Sequence, residues 1–200
     1  MKTLECRGIT LSDKQTKICV PITGTDLEEI KEQAEKIANM NPDIVEWRAD
    51  FYDVKDNDET EFEQCLKAIN DNLKNIPIIY TYRTSNEGGE KSIDVDEYCR
   101  LCKYVSEISE KYNVAMIDVE LYENKDQKDI GKLLLDIKST GVKVIGSNHH
   151  FEGTPSEKDI FNVLKTMEEA GADICKIAVM PKEKVDVKTL INASKKANKE

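Results

Sequence analysis

Lys17-Ile18-Cys19-Val20-Pro21-Ile22 is a short β-like run. Directly after it, Thr25-Asp26-Leu27-Glu28 has capping-box spacing ahead of Leu27, Ile30, Ala34 and Ile37, which recur at helical intervals. This stretch reads as one strand feeding one amphipathic helix, and the pairing returns along the whole chain. Asp43 to Asp50 leads into a helix carrying Phe62, Cys65, Leu66, Ile69 and Leu73, and Ile76 to Arg83 leads into Tyr98, Leu101, Cys102, Val105 and Ile108. Met116 to Tyr122 precedes Ile130, Leu133, Leu134 and Ile137. Val142 to His149 precedes Ile160, Val163, Leu164 and Met167, and Asp173 to Met180 precedes Val187, Leu190 and Ile191. The fifth helix has a clean start in Thr154-Pro155-Ser156-Glu157, with Thr154 as cap, proline at the first position and glutamate at the capping-box position.

Strict alternation of strand and helix implies a parallel sheet covered by helices. Leu4 to Leu11 reads as a small hairpin closing the bottom of that sheet. A complete eight-fold (β/α) barrel takes about 250 residues, and the pattern here supplies six units. Periodicity alone leaves two architectures open, an open doubly wound sheet and a barrel that stops after its sixth βα unit. No linker or low-complexity stretch divides the chain, so residues 1–200 read as one domain.

With 200 residues, 39 % of them hydrophobic, a real core is within reach. The net charge of −10 argues against nucleic-acid or anionic-membrane partners, because no basic stripe exists to neutralise phosphates. Met1 to Asp13 has no apolar leader pattern and no later stretch is long and apolar enough to span a bilayer, which points to a cytoplasmic protein. Cys6, Cys19, Cys65, Cys99, Cys102 and Cys175 lack framework spacing and read as reduced, mostly packed thiols. Cys99-x-x-Cys102 lies in a helical pattern without a second pair, weak grounds for a zinc or redox site.

Polar residues recur at the carboxyl ends of the strands, where βα folds keep their sites. Glu46, Arg48 and Asp50 alternate and share a face, as do Thr81 and Arg83, Asp118 and Glu120, and Ser147 and His149. Each has an ordinary structural explanation: Asp50 as a cap, Arg48 paired with Glu46, His149 as a satisfied core imidazole. Their recurrence on successive strands argues for a site. In the sixth strand Lys176 is the only charge in Ile174-Cys175-Lys176-Ile177-Ala178-Val179-Met180. A solvent-tipped lysine on an edge strand is the bland reading; a desolvated amine, neutral and nucleophilic toward a carbonyl, is the sharp one. His149 and His150 are adjacent, so alternation sends them to opposite faces, which weakens a joint metal site. Gly88-Gly89 reads as a flexible loop over the mouth, able to carry Glu87 to His149.

A nucleophilic lysine, a histidine and two arginines specify imine chemistry. The lysine condenses with a ketone, the iminium acidifies the neighbouring C–H, the imidazole moves the proton, and the arginines hold an anionic or polyhydroxylated substrate. Three readings fit: a lyase, another class I imine enzyme such as an aldolase or transaldolase, or a non-catalytic relative kept as a binding or assembly module.

Those residues resemble the type I 3-dehydroquinate dehydratases of the shikimate pathway. The matching segments are Lys17 to Ile22, Glu46-Trp47-Arg48-Ala49-Asp50, Thr81-Tyr82-Arg83-Thr84 with Glu87-Gly88-Gly89-Glu90, Ser147-Asn148-His149 with Phe151 and Thr154-Pro155, and Gly171-Ala172-Asp173 with Lys176 to Pro181. The likeness runs through nearly the whole chain in order. It implies a (β/α)8 barrel, commonly a homodimer, that dehydrates 3-dehydroquinate to 3-dehydroshikimate without a cofactor or metal. On that likeness Lys176 forms the imine with the C3 ketone, and His149 acts as base at C2 and acid toward the departing hydroxyl. Glu87 orients His149, while Glu46, Arg48 and Arg83 hold substrate hydroxyls and order the mouth. His150 stands where the family usually has Asp, and the seventh and eighth strands, with their substrate-binding Arg and closing loop, have no counterpart in residues 1–200. The expectation is impaired activity for these residues alone.

Overall fold

The computed structural model describes residues 3–53, 58–121 and 128–199. A two-stranded antiparallel hairpin, β1 (Thr3–Cys6) and β2 (Ile9–Ser12), comes first. It turns through Arg7 at φ 40° and Gly8 at φ 79°, the left-handed pair that a two-residue hairpin connection demands. Six parallel strands follow: β3 (Cys19–Ile22), β4 (Ile44–Arg48), β5 (Ile78–Thr81), β6 (Val114–Glu120), β7 (Lys143–His150) and β8 (Ile174–Val179). After them in turn come α1 (Leu27–Ala38), α2 (Glu59–Asn72), α3 (Val95–Glu107), α4 (Lys128–Ser139), α5 (Glu157–Glu169) and α6 (Lys184–Ala197). Tyr122, the last residue of the expected fourth parallel strand, lies outside the described residues.

Spatial order in the sheet equals chain order, β3-β4-β5-β6-β7-β8. This settles the choice the periodicity left open. A doubly wound sheet reverses its strand order at a switch point, whereas same-handed crossovers between sequential neighbours put every helix on one face. The sheet therefore curls as part of a (β/α) barrel, helices outside.

Alternation gives each strand two jobs. Outward residues, among them Val45, Trp47, Ile78, Tyr80, Ile117, Val119 and Val144, pack against the buried faces of the helices in one large core. Trp47 anchors it, fully buried with the rings of Phe62 and Tyr80 at 5.7 and 5.6 Å. Inward residues form a separate lower layer of Ile44, Ile79, Met116 and Ile145, which Ile9 of the hairpin covers from below. Arg7 locks that plug in place by donating from Nε to the Val114 carbonyl at 2.8 Å. Apolar contact at the bottom leaves the upper interior to polar residues.

Helix starts differ in detail from the sequence reading. Asp26, not Thr25, caps α1 by accepting from the Glu29 amide, while Glu29 returns bonds to the Thr25 amide and hydroxyl. Ser156, two residues beyond Thr154, caps α5 by accepting from the Asp159 amide. In both cases the side chain nearest the true first turn has the shorter reach to an unpaired N–H.

Candidate functional site

The upper interior of the half-barrel is lined by Glu46 and Arg48 of β4, Thr81 of β5 with Arg83 just beyond it, Asp118 and Glu120 of β6, Ser147 and His149 of β7, and Lys176 of β8. Strand register places Thr81 beside Asp118, Glu120 beside Ser147, Ser147 beside Lys176 and His149 beside Ala178. Residues in register across parallel strands share a face, so Lys176 and His149 project into the same space. His149 lies one alternate position, about 7 Å, nearer the mouth.

All seven residues of β6 are buried, including both carboxylates, and a buried anion needs a partner. Arg83 supplies most of what they need. Its guanidinium donates to Asp118 Oδ1 at 2.8 Å, Glu120 Oε1 at 3.1 Å and Ser147 Oγ at 2.9 Å, with Glu87 Oε2 at 3.5 Å. Burial alone would pull the Arg83 guanidinium down, but Asp118 and Glu120 hold it above its ordinary value. Burial pushes the Glu120 carboxyl up further than Arg83 and the Thr84 amide pull it back. Arg83 is 4 % exposed and its two terminal nitrogens order three carboxylates, which sets it in the wall of the site.

Glu87, 2 % exposed, sits on a tight turn over Ser85–Glu87 and reaches back over β7. Its Oε2 lies 2.9 Å from His149 Nδ1, and its Oε1 accepts from Asn148 Nδ2 at 3.2 Å. A carboxylate can only accept, so the imidazole carries its proton on Nδ1 and leaves Nε2 as a base. The His149 ring stacks on Phe151 at 6.3 Å, and Phe151 in turn rests on Gly88.

Gly88 and Gly89 are packed, not flexible as their sequence suggested. A Cβ on Gly88, at φ 81°, would fall 2.3 Å from the Phe151 ring, and one on Gly89 would fall 1.9 Å from the Arg83 carbonyl. The pair lets the turn close against Arg83 and His149 at once.

At the mouth Arg48 forms a two-bond pair with Asp50, at 2.8 and 2.7 Å, and lies over the Phe51 ring. Its partner is thus Asp50 and not Glu46, because Asp50, wholly buried on the turn after β4, also accepts from the Arg83 and Glu90 amides. Glu46 accepts from the Thr81 hydroxyl at 2.8 Å.

Lys176 is neither fully buried nor alone. Its side chain is 41 % exposed, and Nζ stands 3.2 Å from Asp118 Oδ2. The sequence anticipated desolvation as the activating influence; the structure puts a carboxylate beside the amine instead. Asp118 was visible as a residue facing inward but carried no assigned part. Two alternate carboxylates in an otherwise apolar strand were the available signal that cations from other strands must meet them. His150 pairs in register with Val179, one position off the alternation that holds Ser147 and His149.

Among the described residues no group of three or more His, Cys, Asp or Glu is placed to hold a metal ion, and no helix is long and apolar enough to cross a membrane. No disulfide joins any of the six cysteines; Cys65 and Cys102 are buried, while Cys19 is exposed on the open inner face of β3. The arrangement unites an amine, an imidazole fixed by a carboxylate, and a wall of ordered charges, which is the equipment for ketone capture and proton transfer.

Known proteins match this chain over nearly its full length. Residues 18–200 fit the family model described as type I 3-dehydroquinase. The 3-dehydroquinate dehydratase of Clostridium novyi (strain NT) is 37 % identical over 194 residues, spanning 97 % of this chain and 74 % of that protein. The crystal structure of 3-dehydroquinate dehydratase from Geobacillus kaustophilus HTA426 superposes with a TM-score of 0.91 at 29 % identity, covering all of this chain and 75 % of that one. A type I 3-dehydroquinate dehydratase from Clostridium difficile, solved with covalent modified comenic acid, gives a TM-score of 0.90 at 35 % identity over 98 % of this chain and 75 % of that one.

Proposed function

We propose that this chain, which belongs to the type I 3-dehydroquinase family, dehydrates 3-dehydroquinate to 3-dehydroshikimate through an imine on Lys176. The amine attacks the C3 ketone and water departs. The resulting iminium withdraws electrons from C2, and Nε2 of His149 removes the C2 proton. The same imidazole, now protonated, hands a proton to the departing hydroxyl. Glu87 keeps the ring in the required tautomer and stabilises the imidazolium that forms in between. Glu46 and Arg48 hold substrate hydroxyls at the mouth, and Arg83 orders the carboxylate wall behind them.

One observation carries this reading: Lys176 and His149 lie on neighbouring strands with their side chains on one concave face, and Glu87 stands 2.9 Å behind the ring. The relative solved with a covalently modified small molecule supports covalent chemistry in this family. Oligomeric state belongs to the same proposal, as a homodimer.

The β3 and β8 edges have no strand neighbour in the described sheet, and a groove of about 880 Å³ runs beside β8, lined by Leu164, Ile174, Cys175, Ile177 and Leu190. Residues 1–200 by themselves should therefore turn over substrate slowly, since the β8 edge that carries Lys176 is incompletely packed. The test is ultraviolet detection of the conjugated enone product, for the chain and for Lys176→Ala. Slow turnover that vanishes in the variant is expected; equal signals from both proteins would remove the amine from the mechanism.

A further inference from the structure

Asp118 has no step of its own in the chemistry above, yet it touches the atom on which that chemistry turns. Its carboxylate is 1 % exposed, and its two oxygens are divided between two tasks. Oδ1 accepts from Arg83 Nη2 at 2.8 Å and from Ser147 Oγ at 2.5 Å, which prevents rotation; Oδ2 faces Lys176 Nζ at 3.2 Å.

We propose that Asp118 is the fixed counter-charge of the Lys176 nitrogen, pairing with the ammonium before substrate arrives and with the iminium afterwards. This rests on the imine reading and deepens it. The bookkeeping of the step shows why one anion can serve both states. An ammonium and a ketone give an iminium and water: the C–N bond forms, the C–O bond breaks, and two nitrogen-bound protons leave with the ketone oxygen. The nitrogen carries one positive charge at the start and at the end, and is neutral only during attack. A carboxylate held rigidly beside it stabilises both cations and resists hydrolysis of the second.

The surroundings keep Asp118 an anion throughout. Burial alone would push its carboxyl up, but the Arg83 guanidinium, the Lys176 ammonium and the Ser147 hydroxyl hold it below its ordinary value. It is thus a poor base, and the proton released during attack goes elsewhere, with His149 on the same face to take it. The other groups around Lys176 are Ser147 and His149 on β7, Arg83 behind Asp118, and, from across the interior, Cys19 on β3 and Glu46 on β4. The Cys19 thiol is raised by surrounding protein and by Glu46, against an opposing pull from Lys176.

Asp118→Asn keeps the shape and an Oδ1 acceptor for Arg83 and Ser147 while replacing the charged oxygen that faces Lys176 by a neutral NH2, and Asp118→Glu keeps the charge. The readout is the yield of the borohydride-trapped adduct with 3-dehydroquinate. In the Asn variant the yield should fall at least tenfold, because the iminium loses the anion held beside it. In the Glu variant, which restores the charge, the yield should return to that of the unsubstituted chain. Either an undiminished yield in the Asn protein or an equally large loss in the Glu protein overturns the counter-charge, so each variant is decisive if the other fails to fold. Lys176→Ala separates the two levels. An adduct that survives that substitution, or none from the unsubstituted chain, overturns the imine reading itself; a Lys176-dependent adduct with an undiminished yield in the Asn protein overturns only the part given to Asp118.

Discussion

Replacing Arg83 by leucine should unfold the site from within and destabilise the whole chain by about 3–5 kcal/mol, the cost of breaking a buried ion pair from one side. The structure locates the loss. Asp118, Glu120 and Ser147 each lose a bond of 2.8, 3.1 or 2.9 Å to a guanidinium that is 5 % exposed at its side chain. They are not wholly abandoned: Asp118 keeps Ser147 and Lys176, and Glu120 keeps the Thr84 amide and hydroxyl at 2.8 and 2.7 Å. Those surviving donors hold the penalty inside that range. For a chain of this size the midpoint of thermal unfolding should fall by roughly 6–20 °C. The sign of the pH dependence is the sharper check. In the unsubstituted chain Asp118 is held below its ordinary value, so it contributes stability above that value and loses it as pH falls. In Arg83→Leu, burial is less opposed and both β6 carboxyls should take up protons more readily. The gap between the two proteins should therefore be widest near neutral pH and shrink toward pH 5. Urea unfolding at both pH values measures it; a gap below about 1 kcal/mol, or one that does not change with pH, would mean that Arg83 does not hold the β6 carboxylates as anions.

Glu87→Gln should lower kcat by about tenfold to a thousandfold while leaving imine trapping on Lys176 intact, since it removes only the anion that orients and stabilises the His149 ring; a pH-rate profile with trapped-adduct yield distinguishes the two effects. Gly89→Ala should cost about 1–3 kcal/mol, because the added carbon meets the Arg83 carbonyl at 1.9 Å and backbone must shift; thermal unfolding reads it. Far from the site, Glu63 accepts from Lys111, Tyr112 and Tyr104 and its carboxyl is pulled to about 2. It adds stability above its ordinary value of 4.5 that is lost as pH falls toward about 2, so Glu63→Gln should flatten the stability curve across that window, measured by unfolding at a series of pH values.

The architecture was legible because each strand and helix carries its own period and the two alternate without exception. What periodicity withheld was the winding, which depends on spatial strand order and so on contacts between residues far apart in the chain. The polar cluster was legible from alternation within single strands: Glu46 with Arg48, Asp118 with Glu120, Ser147 with His149. Pairing between strands was not. Arg48 chose Asp50 because a turn brings that carboxylate back under it, and Arg83 was drawn inward by two carboxylates on a strand about 35 residues away, as the contact with Asp118 shows. The same limit explains Lys176. Its isolation in an apolar run suggested desolvation, whereas the compensating anion comes from β6, 58 residues earlier. Gly88-Gly89 misled for a related reason: glycine signals either freedom or crowding, and only the positions of Phe151 and the Arg83 backbone decide between them.

In the proposed chemistry the Lys176 nitrogen becomes covalently bound to substrate carbon. Incubating the chain with 3-dehydroquinate, reducing with borohydride, and mapping the product by peptide mass spectrometry tests this directly. A single reduced adduct on the peptide containing Lys176 is expected; an unmodified Lys176 peptide from protein that nevertheless forms product would rule out the imine.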